Sequence, residues 1–361
     1  MRRQKMNSDS VKCLLSSPVS FLADTGPDVD IAISSRIRLA RNLRGYPFPC
    51  AAEPEQLAEI CELVSSASGS SEAFGCPECF SFDMEKLSVI DREILKERRL
   101  ASKEFIEHPE HGRLLVKGDE SCSIMINEED QLRMQVLAPG FQLDKVWKEI
   151  DVLDNELAEH LDFAFDKQLG YLTCCPTNVG TGMRASVMLH LPGLVMTGRI
   201  GATIHGINKL NLAVRGIFGE GSENQGNLFQ VSNQVTLGDT ESGIIEKLSQ
   251  VIRQLITHEK AARTQLLERD QASLLDHVGR SYGILRHSYK LSTSEALNCL
   301  SGLRIGVDMG LFNHVDIHRV NEMFLTIHPA HLQKNAGRVL SSADRDVFRA
   351  AYCRQQLTKN S

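Results

Sequence analysis

The period of the hydrophobic pattern changes once along this chain, and that change limits the folds open to it. Between residues 112 and 138, three runs alternate with period two: Arg113-Leu114-Leu115-Val116, Cys122-Ser123-Ile124-Met125-Ile126 and Gln131-Leu132-Arg133-Met134-Gln135-Val136. Period two sends successive side chains to opposite faces, so these runs read as antiparallel strands. Residues 210–218 and 227–235 supply two more. From 242 onward the pattern is helical, over 242–278, 292–309, 314–327 and 341–357, with a capping box at Ser292 and Glu295. Helical periodicity also marks 54–67, 84–100 and 142–162, the last with Trp147, Ile150, Leu153, Leu157 and Leu161 on its apolar side. The expected fold class is α+β: an antiparallel β-sheet flanked by helices, followed by a C-terminal helical domain. The expected divisions are an N-terminal extension over 1–29, a sheet-built domain over 30–262 and the helical domain over 263–361.

Composition removes several classes of function. A chain of 361 residues can bury two cores, and 42% hydrophobic with 24% charged residues is ordinary for a soluble globular protein. A formal net charge of -6 argues against a general nucleic-acid or anionic-membrane binder, so any basic site must be a local cluster. The ten cysteines lack framework spacing and read as reduced thiols, which points to a cytoplasmic protein. Cys76-Pro77-Glu78-Cys79 is a lone pair without partner histidines, a weak zinc signal. No apolar run approaches the roughly 18 residues of a membrane span. Residues 11–23 are broken by Lys12, Ser16, Ser17, Pro18 and Ser20, so the start reads as a frayed N-terminus rather than a signal peptide.

The chemistry gathers around residues 170–186, a short apolar run, a Cys175-Pro176 step, a glycine-punctuated loop and Arg184 opening a second apolar run. Gly180-x-Gly182-x-x-Ala185 matches a loose dinucleotide fingerprint, but position 205 is histidine and the nearest downstream acid is Glu220, so that match is a decoy. A P-loop motif is absent. What remains for phosphate is a set of arginines in strand-like settings: Arg36, Arg38, Arg133, Arg184 and Arg215. Singly, each is ordinarily a solvated strand-edge charge. Together they offer forked donors able to neutralise a transferring phosphoryl group. Glu128, Glu129, Asp130 and Glu220 are ordinarily turn residues at solvent, yet paired carboxylates are what a guanidinium acceptor requires. Arginine keeps its proton up to a pKa above ~12, so its nitrogen attacks only once a base draws the proton off. A cysteine beside it could act as a thiolate, although alone Cys175 is more often structural.

Four motifs in this order resemble the phosphagen (guanidino) kinases: Ser-Ser-Arg-Ile-Arg at 34–38, Asn-Glu-Glu-Asp at 127–130, Cys-Pro-Thr-Asn-Val-Gly-Thr with Arg-Ala-Ser-Val nine residues after the cysteine, and Arg-Gly-x-x-Gly-Glu at 215–220. The nearest likeness is to the bacterial protein-arginine kinases, which lack the N-terminal helical domain of the creatine and arginine kinases and carry a C-terminal helical domain instead. The resemblance implies an ATP-dependent kinase acting on arginine side chains of proteins, with Mg2+ bridging the phosphates. It implies that Arg36, Arg38, Arg133, Arg184 and Arg215 hold phosphates. Ser34, Ser35, Ile37, Ala185, Ser186, Val187, Met188, Gly216, Ile217, Phe218, Gly219 and Glu220 would line the nucleotide. Glu129 and Glu220 would grip the acceptor, with Cys175 beside it.

The ending Arg345-Asp346-Val347-Phe348-Arg349-Ala350 resembles that group's phosphoarginine-sensing motif, which implies a binding role for Arg345, Asp346, Arg349 and Ala350. Partners implied are an McsA-type activator, a CtsR-type repressor and a ClpC/ClpP protease, together with a homodimer. The chain departs from the family at Arg99 and Gln131, where histidines are usual, and at Cys174, where a smaller residue is common. The resemblance implies that Arg99 stands where the family's nucleotide-contacting histidine does, and so among the nucleotide-binding residues. Two other readings are a kinase for a free guanidino metabolite and a non-catalytic phosphoarginine adaptor; the second is opposed by the retained Cys175, Glu129, Glu220 and five arginines.

Overall fold

Alternation along one central strand organises the architecture of the computed structural model, which describes residues 5–6, 8–16, 19–23, 25–75, 79–216 and 225–358. That strand is β2 (Ala32–Arg41), following β1 (Lys5–Met6). After it come β3 (Cys79–Asp83), β4 (Arg113–Lys117), β5 (Cys122–Ile126) and β6 (Leu132–Pro139), then the small hairpin β7 (Phe165–Asp166) and β8 (Gly170–Tyr171). β9 (Met183–His190), β10 (Leu212–Gly216) and β11 (Leu228–Asn233) complete the set. The main sheet has nine strands in the order β1-β3-β4-β5-β6-β2-β9-β11-β10. Its pairings are antiparallel except β1 with β3.

Ile37 and Leu39 of β2 are fully buried on one face of that sheet. There they join a core with Met134, Val136, Ala185 and Val187. Two helices cover this face: α5 (Leu143–Ala158), through Val146, Ile150 and Leu153, and α8 (Glu241–Arg269), through Leu248 and Ile252. α1 (Ser8–Ser16) precedes β2; between β2 and α5 come α2 (Pro54–Ser70), α3 (Val89–Glu97) and α4 (Lys103–Glu107); α6 (Pro192–Met196) and α7 (Ile200–Asn208) precede α8. α2 opens with a capping box between Glu53 and Gln56. The helical expectation at 84–100 is realised as α3 over a shorter range, because Ser88 caps its start and Arg99 adopts a positive φ of 62° at its end.

Beyond α8 the chain is helical: α9 (Gln271–His287), α10 (Thr293–Asp308), α11 (Ile317–Thr326), α12 (Pro329–Ala336) and α13 (Ser342–Thr358). The single helix expected over 242–278 is two, broken at Asp270, whose ψ of 43° leaves the helical range. The N-terminal segment also differs from a frayed end. α1 buries Val11 and Leu14 against α3 and the far strands of the sheet, with the polar Lys12 between those two anchors.

The helical half is bolted to the sheet half by polar contacts. Glu97, at the end of α3, accepts from the Ala330 and His331 amides at the start of α12, at 2.8 and 3.0 Å, and from His331 Nδ1 at 2.6 Å. His190 of β9 meets Ser301 of α10 at 2.8 Å, and Asn227 donates to the same hydroxyl. Burial removes water as a competitor from these contacts, so they act in a low dielectric.

The other buried anchor is Arg41, whose Nε and Nη2 fork onto the Asp154 carboxylate of α5, the shortest contact being 2.6 Å. Removing one partner strands a charge in the core, which costs about 3–5 kcal/mol. Denaturant unfolding of Asp154→Ala should show a loss of that size, and Arg41→Met with Asp154→Leu should recover most of it. A loss under about 1 kcal/mol for Asp154→Ala would mean that the pair does not anchor α5 to the sheet.

Candidate active site

The face of the sheet opposite the core carries the arginines. Strand register brings Arg38 opposite Arg184, Arg36 opposite Ser186, and Ala40 opposite Arg133. Arg215 lies opposite Gln230, whose own amide oxygen accepts from Arg36 Nη2 at 3.2 Å. Arg184 Nη2 donates to Ser232 at 3.2 Å. Residues two apart on a strand share a face, so the five arginines picked out of separate segments converge on one surface. Ile37, Ala185 and Val187, expected among the nucleotide-lining residues, point to the opposite side and are fully buried in the core. Ser35 is buried too, donating to the Gly140 carbonyl at 2.9 Å. Ser34, Ser186 and Met188 are also buried, and Gly216 closes β10. Ile217, Phe218, Gly219 and Glu220 lie outside the described residues.

Crowding these guanidinium groups on one buried surface raises their energy. Burial, then repulsion from Arg99, Arg133 and Arg184, brings Arg36 down to about 9. Burial, then Arg36, Arg133 and Arg184, holds Arg38 well below the usual arginine range, and the Arg38 Nε has no hydrogen-bond partner among the described residues. Burial takes Arg99 to about 10. Its guanidinium lies 5.1 Å from the Phe21 ring centre and 2.7 Å from the Met188 sulfur. Such a cluster fits a polyphosphate, whose oxygens supply the missing acceptors.

The turn at 127–130 divides its acids among three tasks. Glu128 is spent on the cage, forking onto Arg133 Nη1 at 2.7 and 2.8 Å and accepting from Ser102. Burial alone would raise Glu128 and lower Arg133, but the pair reverses both tendencies. Asp130 is buried and holds scaffold: its carboxylate accepts from Asn42 and from the Cys174 amide, both at 2.7 Å. Glu129 alone is exposed, and the Cys175 thiol donates to it. Partial burial, then the neighbouring Asp130 carboxylate, raises Glu129 above the usual glutamate range. Cys175 Sγ also lies 3.0 Å from Thr177 Oγ1.

The thiol loop is held by contacts that the sequence does not advertise. Arg41 donates to the Thr181 carbonyl at 3.0 Å and lies 3.4 Å from the centre of the Tyr171 ring. Thr236 donates to the Thr177 and Val179 carbonyls at 2.8 and 2.7 Å. Gly180, at φ 111°, passes so close to Thr236 that a Cβ would sit 2.4 Å from its carbonyl oxygen. Only glycine fits there. Gln131, where a histidine is usual, accepts from the Leu43 amide at 2.6 Å and donates to Pro47, so it ties the acidic turn to the segment after β2.

Beside the cage is a cavity of about 320 Å³. Ile33, Arg99 and Met188 line it from the sheet half, Phe21 from the N-terminal segment, and Phe324 and His328 from the helical half. Among the described residues no cluster of three His, Cys, Asp or Glu side chains could hold a metal ion, and no helix is long and apolar enough to cross a membrane. Cys76 of the Cys76–Cys79 pair falls outside the described residues.

The tail motif lies on α13. Arg345 donates to the Leu340 carbonyl at 3.0 Å. Arg349 is buried, with donors on the Ile327 and Leu291 carbonyls and on Asp346, at 2.9, 2.7 and 2.7 Å. Ala350 is fully buried in the helical core.

Residues 60–262 match the catalytic domain of the ATP:guanido phosphotransferases, and the chain belongs to that family of phosphotransferase enzymes. Residues 271–361 match the C-terminal domain of the protein-arginine kinase McsB. The protein-arginine kinase of Halothermothrix orenii is 45% identical over 96% of this chain and 99% of its own length. That of Halalkalibacterium halodurans is 47% identical over 96% and 98%. Within the family, then, the chain falls among the protein-arginine kinases. In fold it is similar to a lombricine kinase, with a TM-score of 0.58 and 22% identity over 72% of each chain. A duplicated taurocyamine kinase from Schistosoma mansoni gives 0.57 and 24%, over 68% of this chain and 35% of that one.

Mutual repulsion among these arginines implies that a bound anion stabilises the fold. Inorganic tripolyphosphate should raise the melting temperature, by less as salt increases, and Arg38→Ala should abolish the rise. Arg36→Met, which keeps the apolar stem and removes the disfavoured charge, should leave the unliganded protein at least as stable as the parent. A clear loss of stability in Arg36→Met would show that repulsion in the cage is not a net cost.

Proposed function

We propose that this protein transfers the γ-phosphoryl group of ATP to arginine side chains of other proteins, with the arginine cage as donor site and Glu129 with Cys175 as acceptor site. The observation that carries this reading is the division of the acidic turn. Glu128 locks Arg133 into the cage while the next residue, Glu129, stands exposed against the Cys175 thiol. One turn therefore sets the distance between the phosphate-binding surface and the carboxylate that meets the guanidinium.

Arg36, Arg38, Arg133, Arg184 and Arg215 draw charge from the phosphates as the bond to the leaving group lengthens. The apolar cavity lined by Met188 and Phe324 takes the nucleoside end of ATP. Magnesium neutralises phosphate charge when bound; lacking a cluster of protein ligands among the described residues, it would be carried by the phosphates and water. Glu129 accepts hydrogen bonds from the acceptor guanidinium and takes the proton released as the N–P bond forms. Glu220 is the second carboxylate of this reading. Cys175 presents its sulfur to the guanidinium nitrogen. Regulation by phosphoarginine at Arg345, Asp346, Arg349 and Ala350 belongs to the same proposal. A phosphate there would have to replace the carbonyls that now hold Arg349. The McsA-type, CtsR-type and ClpC/ClpP partners and a homodimer complete the reading, as does delivery of marked proteins to the protease.

The experiment is incubation of purified protein with Mg-ATP and either an unfolded protein or free arginine. Acid-labile, base-stable label on the protein is the expected result; label on free arginine alone would transfer the assignment to a metabolite kinase. Cys175→Ala and Glu129→Gln should each lower kcat by about 100-fold or more with little change in KM for ATP. Glu129 above the usual glutamate range predicts that kcat/KM falls on acidification at a pH higher than the ~4.3 of an ordinary glutamate. The carboxylate must be ionised to act, so activity lies on the alkaline side of that limb. A limb at or below the ordinary value would remove Glu129 from the role of proton acceptor.

A further inference from the structure

Cys174 was notable in the sequence as the neighbour of Cys175, but its sulfur pairs elsewhere. Cys174 Sγ lies 3.8 Å from Cys50 Sγ, across 124 positions of chain, while Cys175 turns to Thr177 and Glu129. Cys50 is exposed in the short 3-10 turn Pro49–Ala51, and Cys174 is half-buried. Both segments are tethered to one turn: the Cys174 amide to Asp130 at 2.7 Å, and the Pro47 carbonyl to Gln131 at 2.9 Å. The two thiols are thus held face to face by a scaffold that also carries Glu129.

We infer that Cys50 and Cys174 form an oxidisable dithiol, a modification site whose disulfide disables the acceptor side of the active site. The oxidant is a hydroperoxide. Exposed Cys50 meets it first: its sulfur attacks the peroxide, the O–O bond breaks, and Cys50 becomes a sulfenic acid while the peroxide leaves as an alcohol or, from hydrogen peroxide, as water. The Cys174 sulfur then loses its proton and attacks the Cys50 sulfur. The S–S bond forms, the S–O bond breaks, and the departing hydroxide leaves with that proton as water. Two thiols surrender two electrons in all, and a dithiol reductant reverses the change.

Closing 3.8 Å to the ~2.05 Å of a disulfide draws residues 172–175 and 47–51 together. Asp130 grips the Cys174 amide, so the movement is passed to the turn that presents Glu129, and Cys175 is displaced with its neighbour. The arginine cage stands on strands that neither cysteine occupies, so polyphosphate binding should survive.

The full-length reduced protein is treated with a small molar excess of hydrogen peroxide, alkylated, digested without reductant and mapped by mass spectrometry. The expected product is a peptide pair joined through Cys50 and Cys174 that separates with dithiothreitol. Transfer activity should fall at least tenfold as the pair accumulates and return on reduction, while tripolyphosphate still raises the melting temperature. Cys50→Ser should match the parent's untreated activity, form no such pair, and keep its activity at the same peroxide dose. A Cys174–Cys175 link, or no link, overturns the site. Inactivation of Cys50→Ser at the parent's rate would assign the sensitivity to Cys175 and overturn the control. The activity arm rests on the kinase reading; the peptide map does not, so a linked pair in a protein without transferase activity would count against that reading alone.

Discussion

The site depends on mutual repulsion among arginines that the fold does not allow to separate. Arg36 and Arg38 share a face of β2 because Ile37 and Leu39 are committed to the core on the other side. Arg184 and Arg133 stand beside them because strand register leaves them no other place. Slipping one residue in register would bury the arginines and expose the isoleucine and leucine, so the hydrophobic contact with α5 and α8 is what enforces the cluster. Burial first, and this repulsion second, lower the proton affinity of Arg36 and Arg38. A binding surface with disfavoured charge is preorganised for an anion, because the protein need not rearrange when one arrives.

Among the described residues, Glu128 relieves the repulsion at the Arg133 edge of the cage, and that edge leads to the proposed acceptor side. Glu128 neutralises Arg133 from the turn between β5 and β6. The same turn holds Asp130 inward as the node joining Asn42 and the Cys174 amide. Cage, turn and thiol loop are therefore one hydrogen-bonded unit. The mechanical link also explains why a disulfide at Cys50 and Cys174 would be felt at Glu129 without passing through the phosphate site.

Much of this was legible in the sequence, for a physical reason. Period-two alternation revealed β4, β5 and β6, and the arginines were visible as charges interrupting apolar strands. Residue chemistry marked the acidic turn and Cys175 as apt for a guanidinium acceptor, while the choice of Glu129 within the turn rested on the family resemblance. Long-range pairings were not legible. Nothing near Arg41 in sequence announces Asp154, Thr181 or Tyr171 as its partners, and Asn42 gives no local sign of reaching Asp130. The three acids of the turn are indistinguishable in sequence, because their roles follow from which way each side chain leaves a turn that begins at Asn127 with a φ of 59°. The break at Asp270 was missed because both flanking segments carry helical periodicity. α1 was missed because two buried residues on a polar helix form too short a pattern to recognise.

The helical half is more than an appendage to a kinase domain, and residues 97–99 show how. Glu97 receives the N-terminus of α12, Arg98 forks onto buried Glu120, and Arg99, in a left-handed conformation, extends into the cavity beside the cage. Three consecutive side chains thus join the helical half, the sheet and the proposed nucleotide site. A left-handed arginine is held against its own preference and persists only where its neighbours over-determine it. The clamp on Glu97 and the Arg98–Glu120 pair supply that constraint. Phe324 and His328 close the same cavity from α11 and the segment just after it. Any shift of α11 and α12 against α3 must change both the cavity wall and the position of Arg99. By reciprocity, a nucleotide filling the cavity favours the docked arrangement of the helical half as much as docking favours the nucleotide.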